Sequence, residues 1–283
     1  MTPYDYCHQK AEESGSSFLA GFRFLPPEKR RAMTVLYAYC RELDDVADDC
    51  ADPAVAAQTL AWWRQDAAKV FHGAALPEHP VNQAMREVAP AYGLPENELA
   101  AVIDGVEMDL TPARYADFAA LQQYCQRVAG VVGRLIARIL GFQDAAVLDY
   151  ADKMGLALQL TNIIRDVGED AVAGRIYLPV EDLQRFNVPA ADLLQRRNSQ
   201  EFAELMAFQV ARARQTYREA VALLPAAERR CQKAGLVMAA IYYALLTEIE
   251  RDGAANVLRY KLAIPKPRKA RIALKTWLLG FKP

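Results

Sequence analysis

Two acidic stretches at helical spacing constrain this chain more than any other feature. Asp44 and Asp48 lie four residues apart, and so do Asn162, Asp166 and Asp170 in turn. Residues four apart share one face of an α-helix, where like charges repel unless a cation lies between them. Proteins usually hold Mg²⁺ with one or two carboxylates and the phosphates of a substrate. The two stretches, about 120 residues apart, therefore predict a site for Mg²⁺ and a diphosphate.

The position of these acids on their helices supports the same interpretation. The apolar stripe Met33, Tyr37 and Cys40 continues in the same three- and four-residue steps to the first acidic pair. Polar side chains at core-facing positions are unfavourable unless they serve a site. A solvated acidic face near a helix end is the alternative for either stretch alone. The second helix carries a polar stripe at Gly155, Gln159, Asn162, Asp166 and Asp170, and a separate apolar stripe at Leu156, Leu160, Ile163 and Val167.

The rest of the chain has helical spacing throughout, and signals for β-strands are scarce. A helix opens at Pro26-Pro27 and closes at Asp52-Pro53, so the first acidic stretch lies at its C-terminal end. Further helices are predicted near residues 54–72, 78–91, 96–108, 116–141, 144–167, 199–223 and 226–251, and Pro265-Lys266-Pro267 marks a loop. No linker or low-complexity tract occurs, and 53% of the residues are hydrophobic, enough for a core with an internal cavity. We therefore predict an all-α fold with a single domain over residues 1–283.

Composition excludes several classes of function and location. A net charge of −1 argues against nucleic acid as the main partner. The five cysteines show no Cys-x-x-Cys spacing and read as free thiols among apolar positions. The N-terminus does not resemble a signal peptide, and the longest apolar stretch, near residues 236–246, is shorter than the roughly 20 residues that span a bilayer. We expect a cytoplasmic protein, at most peripheral to the inner membrane.

Three arginines and two glycines near the acids each have two interpretations. Arg41, Arg165 and Arg175 are either surface ion-pair partners or clamps for a diphosphate, since guanidinium groups bind phosphate oxygens in a bidentate way. Gly130 and Gly133 lie inside a predicted helix, where glycine costs about 1 kcal/mol relative to alanine. They either allow close helix packing or leave a tunnel for a long apolar substrate.

The serine-rich stretch near the N-terminus also has two interpretations. Ser14, Ser17, Phe18 and Phe22 form either a helix cap with core aromatics or, beside a diphosphate site, phosphate donors and a wall for a hydrocarbon. Sequence alone does not choose between them.

At these residues the chain resembles the squalene/phytoene synthase family over nearly its whole length. The similar stretches are Ser14–Phe18, Tyr37–Asp49, Tyr124–Gly133, Gln159–Asp170 and Gly174–Pro179, the last reading Gly-Arg-Ile-Tyr-Leu-Pro. Within the family it is most similar to bacterial presqualene diphosphate synthases of hopanoid and squalene biosynthesis. The resemblance implies an isoprenoid synthase fold, with helices around a central apolar cavity and the two acidic motifs facing each other across its mouth.

The resemblance also implies roles for individual residues. It makes Asp44, Asp48, Asp166 and Asp170 ligands of Mg²⁺, with Asn162 beside the second group of metal ions. It gives diphosphate binding to Arg41, Arg165 and Arg175, and places Tyr124 and Tyr177 near the reacting carbons. The expected tunnel residues are Phe18, Phe22, Val128, Gly133 and Gln159, and the expected phosphate donors are Ser14 and Ser17.

The reaction implied by the resemblance is the head-to-head condensation of two farnesyl diphosphates to presqualene diphosphate. Released diphosphate, alone or with Tyr124, is the candidate base. Squalene, dehydrosqualene or phytoene is an alternative product, because neither the tunnel depth nor a hydride donor can be read from the sequence. A non-catalytic assembly or binding relative of the same fold is the alternative of another class, and the intact acids argue against it. A di-iron carboxylate bundle would need Glu-x-x-His pairs, which the three histidines do not form.

The C-terminal tail suggests one further partner. Basic residues from Lys266 to Arg271 precede an apolar run that ends at Phe281. Such a tail either anchors the protein at a membrane surface or packs on its own domain. Downstream isoprenoid enzymes are additional candidate partners.

Overall fold

The computed structural model describes residues 1–13, 22, 24–50, 52–73, 75–111 and 114–283. Within these ranges every regular element is a helix, which confirms the all-α prediction. In chain order the α-helices are α1 (Pro3–Glu13), α2 (Pro27–Asp49), α3 (Pro53–His72), α4 (Pro80–Tyr92), α5 (Glu96–Glu107), α6 (Phe118–Cys125), α7 (Val131–Leu140), α8 (Ala146–Val172), α9 (Val180–Arg185), α10 (Ala190–Leu194), α11 (Gln200–Leu223), α12 (Lys233–Asp252) and α13 (Lys266–Leu279).

Proline and aspartate fix the ends of the helix that carries the first acidic stretch. Pro27 occupies the first helical position of α2, where its missing N–H costs nothing. Cys50 adopts an extended conformation and ends α2. Asp52 then caps α3, since its Oδ1 accepts a hydrogen bond of 2.9 Å from the backbone N–H of Ala54. The first acidic stretch therefore occupies the last turns of α2, as the sequence predicts.

The long helix predicted over residues 116–141 contains a wider turn in the structure. Residues Gln126–Gly130 form a π-helical turn between α6 and α7, and the N–H of Val131 donates to the carbonyl of Gln126, five residues earlier. The side chain of Gln126 donates to Asp152 of α8 at 2.8 Å. Hydrophobic spacing does not separate an i+4 from an i+5 turn, so the sequence predicted one uninterrupted helix.

Other boundaries also differ from the sequence-based prediction. The helix predicted from residue 226 begins as a 3₁₀ turn at Ala226–Arg229, and α12 itself begins at Lys233. Pro265 and Pro267, predicted as loop residues, instead cap and open α13, because proline is well tolerated in the first helical turn. Helices α1, α9 and α10 are also additional to the predicted set.

The helix α8 lies at the centre and packs against α7, α11 and α12. One apolar core surrounds α8 and α11, and a second lies among α2, α3, α4, α5 and α7. The partly buried side chains of Leu158 and Tyr242 contact both cores. The space between the two cores holds the cavity described below.

Glycines allow α8 to approach its neighbours at backbone distance. A Cβ on Gly133 would lie 2.6 Å from the carbonyl oxygen of Ala151, and one on Gly155 would lie 2.5 Å from that of Ala129. Only glycine fits such contacts. Gly133 and Gly155 also line the larger cavity. The two interpretations of the small residues, close packing and an open tunnel, therefore both hold at Gly133.

Candidate active site

Two cavities meet where α2 and α8 carry their acidic residues. The larger has a volume of about 640 Å³ and the smaller about 180 Å³. Asp44, Val106, Gln159 and Asn162 line both, so the two spaces adjoin. Along α8 the larger cavity is lined from Tyr150 to Arg165, which at 1.5 Å per residue corresponds to about 22 Å. The site is thus a long internal cavity with a polar compartment at one end.

The two acidic motifs face each other across the polar compartment. Asp44 and Asp48 project from α2, and Asp166 and Asp170 project from α8, and all four line the smaller cavity. This is the arrangement that the sequence resemblance implied for the motifs.

Burial and mutual repulsion shift the protonation of one acid in each motif. The side chain of Asp44 is exposed to the space inside the two cavities. The protein around these cavities keeps most of the bulk water away from it. This burial, together with the charge of Asp48, raises the pKa of Asp44 to about 7. Burial and the charge of Asp166 likewise raise the pKa of Asp170 to about 7. Each motif therefore has an excess of negative charge that a cation would relieve.

The donor atoms of this compartment fit a hard cation. The side-chain oxygens include four carboxylates and the amide of Asn162, whose buried Oδ1 has no hydrogen-bond partner. Its Nδ2 donates to Gln159 Oε1 at 3.3 Å, which leaves Oδ1 available. Mg²⁺ prefers oxygen ligands of this kind. The residues present therefore fit the metal that the sequence predicted.

The acidic side chains form one pair on each helix and do not surround a single metal position. Among the described residues, no three His, Cys, Asp or Glu side chains converge on one point where a metal ion could bind. Protein ligands on each wall would thus satisfy only part of the octahedral shell of Mg²⁺, and substrate phosphates or water would complete it.

The three arginines predicted to bind diphosphate all lie at this end of the cavity. Arg41 and Arg165 line the larger cavity and Arg175 the smaller. Arg41 forms an ion pair with Asp45, one turn further along α2. The side chain of Arg175 donates to Asp48 at 3.2 Å, and its backbone N–H donates to the carbonyl of Asp170 at 2.7 Å, so Arg175 connects the two motifs. All three side chains therefore form ion pairs with aspartates of the two acidic stretches.

Two tyrosines share one acceptor that the sequence analysis missed. The hydroxyls of Tyr124 and Tyr177 donate to Asp109 at 2.9 and 2.8 Å, and their rings stack at 5.3 Å. Burial, and next the charge of Asp109, raises the pKa of both phenols well above the usual range. Burial also raises the pKa of Asp109, while the two phenol hydrogen bonds oppose this. Both tyrosines are therefore neutral hydrogen-bond donors at the wall of the polar compartment.

The remaining predicted residues divide into three groups. Val128, Gly133 and Gln159, which were expected to line a substrate tunnel, border the larger cavity. Phe22 is a correction, because it is 3% exposed within the apolar core around α2 and does not line either cavity. The predicted residues Ser14, Ser17 and Phe18 lie outside the described residues.

Several cavity residues were not found by sequence reasoning, and four of them have polar or aromatic side chains at the site. Asp109 lines the smaller cavity, and Tyr37, Tyr242 and Lys261 line the larger. Asp109 lies in a 3₁₀ turn just after α5, and Lys261 belongs to an irregular segment before α13. Neither has a neighbour at helical spacing that would have drawn attention to it.

Comparison with known proteins agrees with the geometry of the site. Residues 11–268 match the sequence profile of the family described as Squalene/phytoene synthase. The chain belongs to the squalene/phytoene synthase family. A presqualene diphosphate synthase of Rhodopseudomonas palustris is 36% identical over 275 residues, covering 97% of each chain. A 15-cis-phytoene synthase of Synechocystis is 33% identical over 287 residues, covering 97% of this chain and 84% of the relative.

Solved structures of squalene/phytoene synthases give the same result. The crystal structure of a dehydrosqualene synthase in complex with a ligand superimposes with a TM-score of 0.85 at 27% identity, covering 99% of this chain and 97% of the other. The chain therefore has the isoprenoid synthase fold and is a prenyltransferase of the type that joins prenyl diphosphates head to head.

Proposed function

We propose that this enzyme condenses two farnesyl diphosphates head to head into presqualene diphosphate and releases one diphosphate. The observation that carries the proposal is the side-by-side position of two unlike spaces. A compartment lined by five aspartates, four of them from the acidic motifs, adjoins a larger and more apolar cavity of about 640 Å³, and Asp44, Gln159 and Asn162 line both. A prenyl diphosphate has the same division into a charged head and a hydrocarbon tail. Similarity to a presqualene diphosphate synthase over 97% of both chains supports the choice of product.

Residues of the polar compartment account for ionisation of the allylic diphosphate. Asp44, Asp48, Asp166 and Asp170, with Asn162, would hold Mg²⁺, which when bound supplies positive charge to the leaving diphosphate. Arg41, Arg165 and Arg175 donate hydrogen bonds to its oxygens in the same region. The apolar wall, which includes Val128 and Met154, excludes water from the resulting carbocation.

The second half of the reaction needs a base to remove a proton as the cyclopropane closes. Tyr124 is a neutral phenol whose proton lies on the hydrogen bond to Asp109, so it is poorly suited to accept another. We therefore assign the proton to the released diphosphate, and Tyr124 and Tyr177, held by Asp109, form the wall of the compartment beside it.

The metal role can be tested with single aspartate variants. Asp44→Asn and Asp166→Asn keep the shape of the side chain but remove its charge. With farnesyl diphosphate and Mg²⁺, both should release diphosphate at least about a hundredfold more slowly than wild type, the size of effect seen when one charge-stabilising group is lost. Asp192→Asn, in α10 and outside both cavities, is the matched control. Undiminished turnover of the two site variants would refute the assignment.

Product identity needs its own experiment. Mass spectrometry of products formed from farnesyl or geranylgeranyl diphosphate, each supplied alone, should show presqualene diphosphate from the former. Phytoene from the longer substrate is the main alternative, because a phytoene synthase is also similar over most of this chain. Squalene or dehydrosqualene as the end product would show that the reaction continues past the cyclopropane, and diphosphate release without any condensation product would contradict the proposal.

We also propose that α13 rests on an anionic membrane surface. None of the helices in the described part of the chain is both long and apolar enough to cross a bilayer. The tail is not free, because Ala273 and Thr276 are buried and Phe281 packs against Tyr217 and Tyr243. Its outer face nevertheless exposes Leu274, Leu278 and Leu279 by 52, 69 and 75%.

The charge of that outer face complements anionic lipid. Arg271 and Lys275 are exposed among the leucines, and Lys266 lies at the start of the helix. Apolar side chains flanked by basic ones are typical of helices that lie in the membrane interface. Leu274→Ser/Leu278→Ser protein should co-sediment less with phosphatidylglycerol vesicles than wild type, whereas Leu194→Ser, another exposed leucine, should not. Equal sedimentation of all three proteins would exclude this surface.

A further inference from the structure

We propose that Lys261 is a placeholder cation: it neutralises Asp166 before metal binds and then transfers to the diphosphate. The inference rests on the proposed function, because it assumes that Mg²⁺ and a diphosphate bind at the acidic motifs. It adds a residue and an order of events that neither the motifs nor the family membership supplies.

Asp166 already pairs with two cations in this structure. Its Oδ1 accepts from Arg165 Nε at 2.7 Å and from Lys261 Nζ at 3.1 Å, and its Oδ2 accepts from Arg165 Nη2 at 2.5 Å. A metal ion on the same carboxylate would face two positive charges within a few ångströms. Departure of one of the two cations would therefore favour Asp166 as a metal ligand.

Lys261 is the cation that can leave at lower cost. Arg165 is the sequence neighbour of Asp166 and holds both oxygens with its planar fork, a pre-organised arrangement. Lys261 makes one longer contact to Asp166, from a flexible stem whose side chain is 41% exposed. It has a second acceptor in Glu169 Oε2 at 2.6 Å, so it need not lose all its pairing when it moves.

The backbone that carries Lys261 is fixed against α8 just before this residue. A Cβ on Gly168 would lie 2.4 Å from the carbonyl oxygen of Val257, so glycine alone permits this approach. The side chain of Arg196 donates to the carbonyls of Leu258 and Arg259 at 2.6 and 2.8 Å. The start of the segment is therefore pinned, and the lysine side chain is the part that can change position.

The new position for the ammonium group is the cavity itself. Lys261 lines the larger cavity together with Arg41 and Arg165, and it is the one lysine among the described residues that line either cavity. A diphosphate bound between the acidic motifs would therefore meet the ammonium group as Mg²⁺ takes its place on Asp166. Charge at Asp166 stays balanced in both states, and the metal and the diphosphate each favour the other's binding.

Two binding measurements on Lys261→Met separate this role from an ordinary ion pair. Titration calorimetry with MgCl₂ alone should show tighter binding than wild type by a few-fold, because a competing cation is gone. Titration with inorganic pyrophosphate in the presence of Mg²⁺ should show binding weaker by roughly tenfold or more, because a charge-assisted hydrogen bond is lost. Lys261→Arg should restore pyrophosphate binding, and Lys153→Met, which removes a lysine paired with Glu219 on the surface, should change neither value.

Tighter binding of Mg²⁺ together with weaker binding of pyrophosphate is the result expected if Lys261 is a placeholder cation. If both affinities fall, or if neither changes, in a Lys261→Met protein whose circular dichroism spectrum and melting temperature match wild type, the inference is overturned while the proposed function stands. If wild-type protein binds neither Mg²⁺ nor pyrophosphate, the proposed function fails, and the inference fails with it.

Discussion

Gly133→Ala tests the close contact between α7 and α8 on which the cavity wall depends. The new Cβ would lie 2.6 Å from the carbonyl oxygen of Ala151, whereas real Cβ atoms essentially never approach closer than 3.0 Å. The obstacle is backbone within the long helix α8, so the two helices must separate by at least the 0.4 Å between these distances. Side-chain rearrangement cannot relieve it.

The expected magnitude follows from two opposing effects. Overpacking of this kind costs about 1–3 kcal/mol, and replacing glycine by alanine within a helix returns about 1 kcal/mol. Gly133→Ala should therefore lower the free energy of unfolding by up to about 2 kcal/mol. Gly235→Ala is a matched control, because Gly235 is the third residue of α12 as Gly133 is of α7, and both line the same cavity.

The control differs in the space around the added atom. A Cβ on Gly235 would meet the Tyr150 hydroxyl at 3.6 Å and Leu140 Cδ1 at 3.9 Å, which are ordinary contacts. Gly235→Ala should thus gain up to about 1 kcal/mol. Urea denaturation of both metal-free variants, followed by far-ultraviolet circular dichroism, measures the difference. Equal stability of the two variants, or a more stable Gly133→Ala, would refute the packing described here.

Three further predictions concern charge. Because the pKa of Asp44 and of Asp170 is about 7 in the folded chain against an ordinary 3.8, the folded state holds these protons more tightly, and the metal-free protein should melt at a lower temperature at pH 8 than at pH 6. Mg²⁺ needs ionised carboxylates and should raise the melting temperature more at pH 8; an equal rise at both pH values would contradict the shifts. Asp109→Asn removes the charge that accepts both phenols and should slow turnover by roughly tenfold or more, so a rate within twofold of wild type would exclude a positioning role. Glu98→Gln weakens a buried ion pair with two arginines of α7 at 2.8 and 3.0 Å and should cost roughly 1–3 kcal/mol in urea denaturation, while turnover per folded molecule stays unchanged because Glu98 lines neither cavity.

Local periodicity explains which parts of the site could be predicted from the sequence. Asp44 and Asp48 continue an apolar stripe along α2, and Asn162, Asp166 and Asp170 form a polar stripe along α8. Both patterns depend only on the spacing of side chains around one helix, so the sequence shows them directly. The structure brings these residues into one compartment, and their roles as ligands stay predictions for the variants above to test.

Tertiary placement explains what the sequence did not reveal. Asp109 lies in a short 3₁₀ turn and Lys261 in an irregular segment, and both reach the site through packing. Asp109 lies beside two tyrosines of other elements, and the Gly168 contact with Val257 holds the segment that carries Lys261. The prediction that Phe22 lines the tunnel was wrong because its local sequence fits two environments. An aromatic residue beside a serine-rich stretch fits either a core or a tunnel wall, and the core around α2 contains it.

The π-helical turn at Gln126–Gly130 sets the direction in which the later side chains of this helix point. Each residue of an α-helix advances the chain by about 100° around the axis. The extra residue therefore rotates all later side chains of the helix by that angle. Removing one residue from the turn would leave a smoother helix but rotate the small face at Gly133 away from Ala151. Homologues that differ in length at this turn would thus be expected to place their small residues one position earlier or later, and an alignment that ignores the offset would pair residues pointing in different directions.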